Sequence, residues 1–242
     1  MIVNHTLDFA GAQFKALVST VYPTCDYISV REPKSKKLLD SMGIEAALSA
    51  DTAFIYPGNR SIQNGMQELP PIPESYYVFF IAQLIDVDPG YFVEVCKEIW
   101  HAYKLPAVFF VLSEREKRVV DCLKGSGIPY VKVDYFVEPS CIISVLEQAM
   151  FCLSGRFHAA IFSALANTPF IGFRSNTFKI AGLIELLNYP LPEMLFGTTG
   201  VDDIVSAIKV LLTNRQSIKA KLLRNVQSAQ ELARTTNVKV LG

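Results

Sequence analysis

The stretch Phe151-Cys152-Leu153-Ser154-Gly155-Arg156-Phe157-His158-Ala159 reads as the end of a strand, a tight turn and the first turn of a helix. Residues 151–153 are short and apolar, Ser154 and Gly155 turn the chain, and residues 157–166 have the apolar spacing of a helix. A strand feeding directly into a helix is the repeating unit of a parallel sheet, and the same unit recurs outward in both directions. Toward the N-terminus, strands are expected at 130–133, 107–112 and 77–82, alternating with helices at 140–149, from 114 onward and at 89–103. Ser113 is placed to cap the helix that starts at Glu114, and Gly125 to Gly127 close it. The 77–82 run is apolar and aromatic throughout, as in a strand covered on both faces. Toward the C-terminus, a strand at 170–173 is followed by helices at 178–187, 201–213 and 215–235. Five strands joined by helix-length crossovers are enough for a complete Rossmann-like domain.

The first quarter of the chain repeats the pattern on a smaller scale. Strands at 2–6, 27–30 and 46–49 alternate with helices at 11–21 and 34–42. Pro33 suits the first helical turn and Gly43 its C-terminal end. Lys36 and Lys37 fall on the wet face of that helix, Leu38 and Leu39 on the core face. Between the two regions, 57–73 is rich in Pro, Gly, Asn, Ser and Gln, the composition of a linker. The expected organisation is an α/β chain with a partial N-terminal lobe (1–56), a linker (57–74) and a C-terminal Rossmann-like domain (75–242).

Composition narrows the function classes. The 242 residues are 50% hydrophobic and 19% charged, which excludes intrinsic disorder. Lys and Arg number 23, as do Asp and Glu, so the net charge is zero and a global phosphate-neutralising field is excluded; no nucleic-acid partner is expected. The five cysteines form no CxxC pair and their count is odd, which points to reduced thiols, mostly buried, in a cytosolic protein. The N-terminus has no basic segment followed by an apolar core, and no stretch is long and apolar enough to cross a membrane. The expected location is cytoplasmic, or peripheral to the membrane. There is no GxGxxG after a strand, no GxxxxGK[ST] and no GxSxG. With three histidines, His5, His101 and His158, a multi-histidine metal site is not expected, and neither a metal nor a cofactor is.

Ligands of open parallel sheets bind at the carboxyl ends of strands, so polar residues at those ends are the candidates. At 154–158, Ser154 can cap, Gly155 admits a ligand to the backbone, and Arg156 can grip a carboxylate or phosphate bidentately. The N–H groups of the following helix favour an anion, and His158 can act as a general acid or a second anion donor. The same residues also read as an ordinary strand–helix turn with Arg156 and His158 at the surface. Arg31 again follows a strand, and Ser35 sits in the first turn of the next helix, either toward a ligand or exposed. Arg174, Ser175, Asn176, Thr177 and Lys179 follow the 170–173 strand as ligand contacts or as caps. Gln83, Asp86 and Asp88 follow the 77–82 strand, where capping carboxylates are an alternative to a ligand role. His5 ends the first strand, facing the cleft or merely exposed.

Two of these segments, in this order, resemble the polysaccharide pyruvyl transferase family. One is Ile28-Ser29-Val30-Arg31-Glu32-Pro33-Lys34-Ser35 with Leu38, Leu39 and Gly43, followed by Asp51 at about the place of the family's Asp before the interdomain segment. The other is Ser154-Gly155-Arg156-Phe157-His158-Ala159 with Ala164, Leu165, Ala166, Pro169, Gly172 and Phe173. The resemblance implies a fold similar to the two-domain GT-B glycosyltransferases. It also implies transfer of a pyruvyl group from phosphoenolpyruvate to a sugar hydroxyl of a cell-surface polysaccharide or its precursor, forming a ketal. Phosphoenolpyruvate is then the donor substrate, with a saccharide acceptor, free or lipid-linked. Arg156 and His158 are implied as catalytic, with Arg31, Ser35, Ser154, Gly155, Arg174 and Asn176 around the substrate.

Family members usually have a longer N-terminal lobe, opening on a Gly- and Asn-containing loop after the first strand. This chain opens at what looks like a late strand of that lobe. The expectation is therefore a short form, a fragment, or half of a split protein, either a homo-oligomer or completed by a partner chain. The alternatives are a GT-B nucleotide-sugar glycosyltransferase, with Glu185 the nearest acidic candidate for a ribose, and a catalytically inactive subunit.

Overall fold

The computed structural model describes residues 2–5, 12–56, 69–81, 88–111, 113–134, 138–174 and 177–241. Among them, two parallel sheets carry the fold. The smaller has strands β1 (Ile2–His5), β2 (Tyr27–Val30) and β3 (Ala47–Leu48) in the order β1-β2-β3. Helix α1 (Ala12–Val21) connects β1 to β2, and α2 (Pro33–Ser41) connects β2 to β3. Gly43 follows α2 with φ +69, the left-handed turn that ends a helix at least cost when no Cβ is present. Val18, Tyr22, Ile28, Val30, Leu39, Ile44 and Ala46 form the small core beneath this sheet.

The larger sheet has β4 (Tyr77–Phe80), β5 (Ala107–Val111), β6 (Tyr130–Asp134), β7 (Cys152–Ser154) and β8 (Phe170–Gly172) in the order β6-β5-β4-β7-β8, all parallel. The crossovers are α3 (Pro89–Tyr103), α4 (Glu114–Asp121), α5 (Pro139–Gln148) and α6 (Phe157–Leu165), and α7 (Lys179–Leu186), α8 (Val201–Thr213) and α9 (Arg215–Leu241) follow β8. Asp88 caps α3 by accepting the Gly90 amide at 2.9 Å, and Ser113 caps α4 by accepting the Glu116 amide at 3.3 Å. Helix α4 ends at Asp121, before Gly125 and Gly127, which take positive φ in the turn that follows. Helix α9 runs six residues past the expected end at Thr235.

β4 and β5 are buried along their whole length, as their unbroken apolar sequence requires. Phe79 sits at the centre of the core, its ring against Phe92, Phe109, Phe173 and Phe196. Of the expected linker, residues 57–68 lie outside the described residues. Ala50 and Phe54, expected on the N-terminal side, already pack into the larger core, and α9 returns to them: Gln230 Nε2 donates to the Phe54 carbonyl at 3.1 Å. All five cysteines are free thiols; Cys96, Cys141 and Cys152 are buried.

Candidate active site

The order of the larger sheet reverses direction between β4 and β7, and the crevice outside the carboxyl ends of two such strands is where open α/β sheets bind ligands. The turn Ser154-Gly155-Arg156 sits there. The Gly155 amide donates to the Phe80 carbonyl at 3.1 Å, tying the end of β7 to the end of β4. Ser154 was expected as a helix cap, but it shapes the turn instead. Its buried hydroxyl donates to the Arg156 carbonyl at 2.9 Å and accepts the Arg156 amide at 3.1 Å. Arg156 is the N-cap residue of α6, and no side chain caps that helix. The first-turn N–H groups of α6 therefore face the crevice without a side-chain acceptor, the arrangement that favours an anion.

Three further segments reach this turn. Arg31 leaves the end of β2 with its guanidinium 4.7 Å from the centroid of the Phe157 ring, a cation–π contact. Its Nη1 donates to Asp51 Oδ2 at 2.5 Å. Asp51 begins a short 3-10 helix (Thr52–Ile55), where its Oδ1 accepts the Ala53 amide at 2.9 Å. That same oxygen lies 3.7 Å from His158 Nε2, which is an electrostatic contact and too long for a hydrogen bond. Burial, the largest single influence, pushes the Asp51 carboxyl up; His158, the Ala53 amide and Arg31 together bring it down to about 2. Phe157 and His158 meet edge to face at 5.4 Å. From α4, the buried Glu116 carboxylate takes the Arg156 guanidinium.

The structure thus brings together Arg31, Ser154, Gly155, Arg156 and His158. Ser35 takes neither of the roles expected of it. It is fully buried, and its amide and hydroxyl both donate to Glu32, which caps α2. Burial pushes the Glu32 carboxyl up against the lowering effect of its bonds to Ser35. Arg174 is exposed and pairs with Glu193, its Nε donating to Oε1 at 3.1 Å. Glu185 lies on α7 and pairs with Lys37 at 2.5 Å. The Thr177 hydroxyl accepts the Lys179 amide at 3.4 Å. Asp88 is the cap already described, and His5 ends β1 in register with Val30. Asn176, Ser175, Gln83 and Asp86 lie outside the described residues. Asp51, Glu116 and Phe157 complete the arrangement and were not candidates. The signal for Asp51 was its place after a strand; Glu116 sits in the Ser-x-x-Glu pattern of a capping box, which reads as purely local. Among the described residues, no group of three or more His, Cys, Asp or Glu could hold a metal ion, and no helix is long and apolar enough to cross a membrane.

The family model described as polysaccharide pyruvyl transferase matches residues 2–177. No curated protein matches the chain. Among solved structures, it is similar to UDP-GlcNAc 2-epimerase from Methanocaldococcus jannaschii in complex with UDP-GlcNAc and UDP (16% identity, TM-score 0.66, 89% of this chain and 61% of that one). It is also similar to Os79 from O. sativa in complex with UDP and deoxynivalenol-3-glucoside (12%, TM-score 0.56, 89% and 54%). A third is the glycotransferase of kitacinnamycin (17%, TM-score 0.54, 88% and 54%). At these identities the likeness is one of fold, and the fold is GT-B-like. The chain spans between 54% and 61% of the length of these three structures.

Proposed function

Because the chain belongs to the polysaccharide pyruvyl transferase family, we propose that it transfers a pyruvyl group from phosphoenolpyruvate to a saccharide, with the donor seated at the N-terminus of α6. One observation carries this assignment. Arg31, at the end of the smaller sheet, and the Arg156–His158 turn, at the switch point of the larger one, meet around Phe157 although most of the chain separates them. Phosphoenolpyruvate carries a phosphate and a carboxylate, so it calls for two planar cationic donors and a helix N-terminus. Asp51 and Glu116 orient the two guanidiniums. Each guanidinium has five N–H donors, so one carboxylate contact does not saturate it.

In the transfer, one sugar hydroxyl adds to the enol carbon that bears phosphate while the methylene carbon gains a proton. A second hydroxyl then displaces phosphate at the same carbon and closes the ketal. Of the two hydroxyl protons, one ends on the new methyl group and the other on inorganic phosphate. His158 is assigned the proton transfer to the methylene carbon, and the Arg side chains stabilise the departing phosphate. The acceptor is proposed to be a cell-surface polysaccharide or its precursor, free or lipid-linked, met in the cytoplasm or at the membrane face. The site described accounts for the donor side; a second copy or a partner chain is the proposed source of acceptor contacts.

Isothermal titration of phosphoenolpyruvate into the wild type, Arg31→Lys and Arg156→Lys tests the donor site. Lysine keeps the charge and loses the bidentate fork. Binding in the wild type that weakens at least tenfold in both variants is expected. UDP-GlcNAc is the comparison ligand, because the solved neighbours bind UDP and UDP-GlcNAc on the same fold. Tighter binding of UDP-GlcNAc than of phosphoenolpyruvate would replace pyruvyl transfer with nucleotide-sugar transfer.

A further inference from the structure

We infer that Asp51 is a positioning residue for this site: its carboxylate holds Arg31 through one oxygen and faces the Nε2 side of His158 with the other, so that Nδ1 is the nitrogen that meets the substrate. The inference rests on the assignment of His158 as the proton-transferring group.

The two oxygens of Asp51 are divided between partners from different sheets. Oδ2 takes Arg31 Nη1 at 2.5 Å, and Oδ1 takes the Ala53 amide at 2.9 Å while facing His158 Nε2 at 3.7 Å. The side chain is 7% exposed, and the Ala53 amide pins it at the start of the 3-10 helix, so it cannot swing toward solvent without giving up its cap. The His158 side chain, in contrast, is 56% exposed and sits at the second residue of α6, where rotation is open to it. Phe157 closes the ring of contacts. Arg31 lies over its face at 4.7 Å, and His158 meets it edge to face at 5.4 Å. Arg31 is therefore fixed from two sides, and Asp51 transmits that position to the imidazole.

Which ring nitrogen of a histidine does chemistry is set by the partner that the other nitrogen keeps. A carboxylate on the Nε2 side favours the proton there and leaves the Nδ1 lone pair for the reaction. Contacts of this kind are often long before ligand binds and tighten in the complex. Through Nδ1, the histidine takes the proton of the attacking sugar hydroxyl and passes that proton to the methylene carbon, so it ends the cycle as it began.

The test is long-range 1H–15N correlation on protein labelled at histidine, with His158→Gln to identify the His158 signals among three histidines. Asp51→Asn keeps the shape and an acceptor for the Ala53 amide but removes the charge. Should it not fold, Asp51→Ser keeps a capping oxygen and serves the same purpose. The expected result is the Nε2–H tautomer at His158 in the wild type and a mixture in the variant. In the transfer assay, Asp51→Asn should lower kcat at least tenfold with His158 present and by a clearly smaller factor on a His158→Ala background, where only its hold on Arg31 is left to lose. An Nδ1–H tautomer in the wild type, an unchanged tautomer in the variant, or a full additional loss on the His158→Ala background would overturn the inference. The tautomer shift is read without substrate. If it occurs in a protein that performs no pyruvyl transfer, the Asp51–His158 coupling stands and the transferase assignment is what fails.

Discussion

Gly182→Ala sets helix propensity against packing, and the two predict opposite signs. Gly182 lies inside α7, where replacing Gly by Ala stabilises a helix by about 1 kcal/mol when nothing else is near. Here Glu32 is near. A Cβ at Gly182 would lie 2.5 Å from Glu32 Oε2, 2.9 Å from its Cγ and 3.0 Å from its Cβ. Because Cγ and Cβ are involved as well as the carboxylate tip, turning the last bond of Glu32 gives no relief. Either α7 shifts away from α2, or Glu32 changes rotamer and abandons Ser35, whose amide it accepts at 3.1 Å. Overpacking of this kind costs about 1–3 kcal/mol, and losing an N-cap costs about 1 kcal/mol. Set against the propensity gain, the net expectation is a destabilisation of about 1–2 kcal/mol. For a chain of this size that is a fall in Tm of roughly 3–6 °C by scanning calorimetry. The Glu32→Ser background isolates the cause, because Ser is a good N-cap and too short to reach Gly182. There, Gly182→Ala should be neutral or raise Tm. A rise in Tm for Gly182→Ala in the wild type would refute the close approach of α7 to α2.

The remaining expectations concern the charges and the aromatic core. Asp51 titrates at about 2 when folded against a normal 3.8. Its contribution of about 2 kcal/mol is therefore complete above pH 5 and is lost as pH falls toward 2. The stability gap between wild type and Asp51→Asn, from urea unfolding at a series of pH values, should narrow by about that amount between pH 5 and pH 2. Arg156→Ala takes the guanidinium from the Glu116 carboxylate, 2% exposed, and should cost about 2 kcal/mol or more. Adding Glu116→Ala should recover part of that loss in chemical denaturation; a double variant less stable than Arg156→Ala would contradict the pairing. Phe79→Ala empties the space between Phe92, Phe109, Phe173 and Phe196 and should cost about 3–5 kcal/mol, read as a lower denaturation midpoint.

The elements were legible where the signal is local. Strands of unbroken apolar sequence, such as 77–80 and 107–111, sit between helices opened by Asp88, Ser113 or a leading proline, and each of these cues acts within four residues. The cationic members of the site were legible for a related reason, since Arg31 follows β2 directly and Arg156 follows β7 with only Gly155 between. Their carboxylates were not. Glu116 carries a local pattern that accounts for it as a helix start, and nothing in the sequence says that its carboxylate also reaches a residue forty positions on. Asp51 carried only its place after a strand and its likeness to the family's Asp, and only the meeting of the two sheets puts His158 and Arg31 on it. Ser35 was misjudged because Glu32, beside the more conspicuous Arg31, takes the role of cap and draws the hydroxyl inward. The consequence for binding is specific. With Asp51 on Arg31 and Glu116 on Arg156, these four groups sum to zero charge before any ligand arrives. An anionic donor therefore adds charge to a balanced site, and its affinity has to come from the α6 amides, from His158, and from donors that each guanidinium can share between a carboxylate and a ligand.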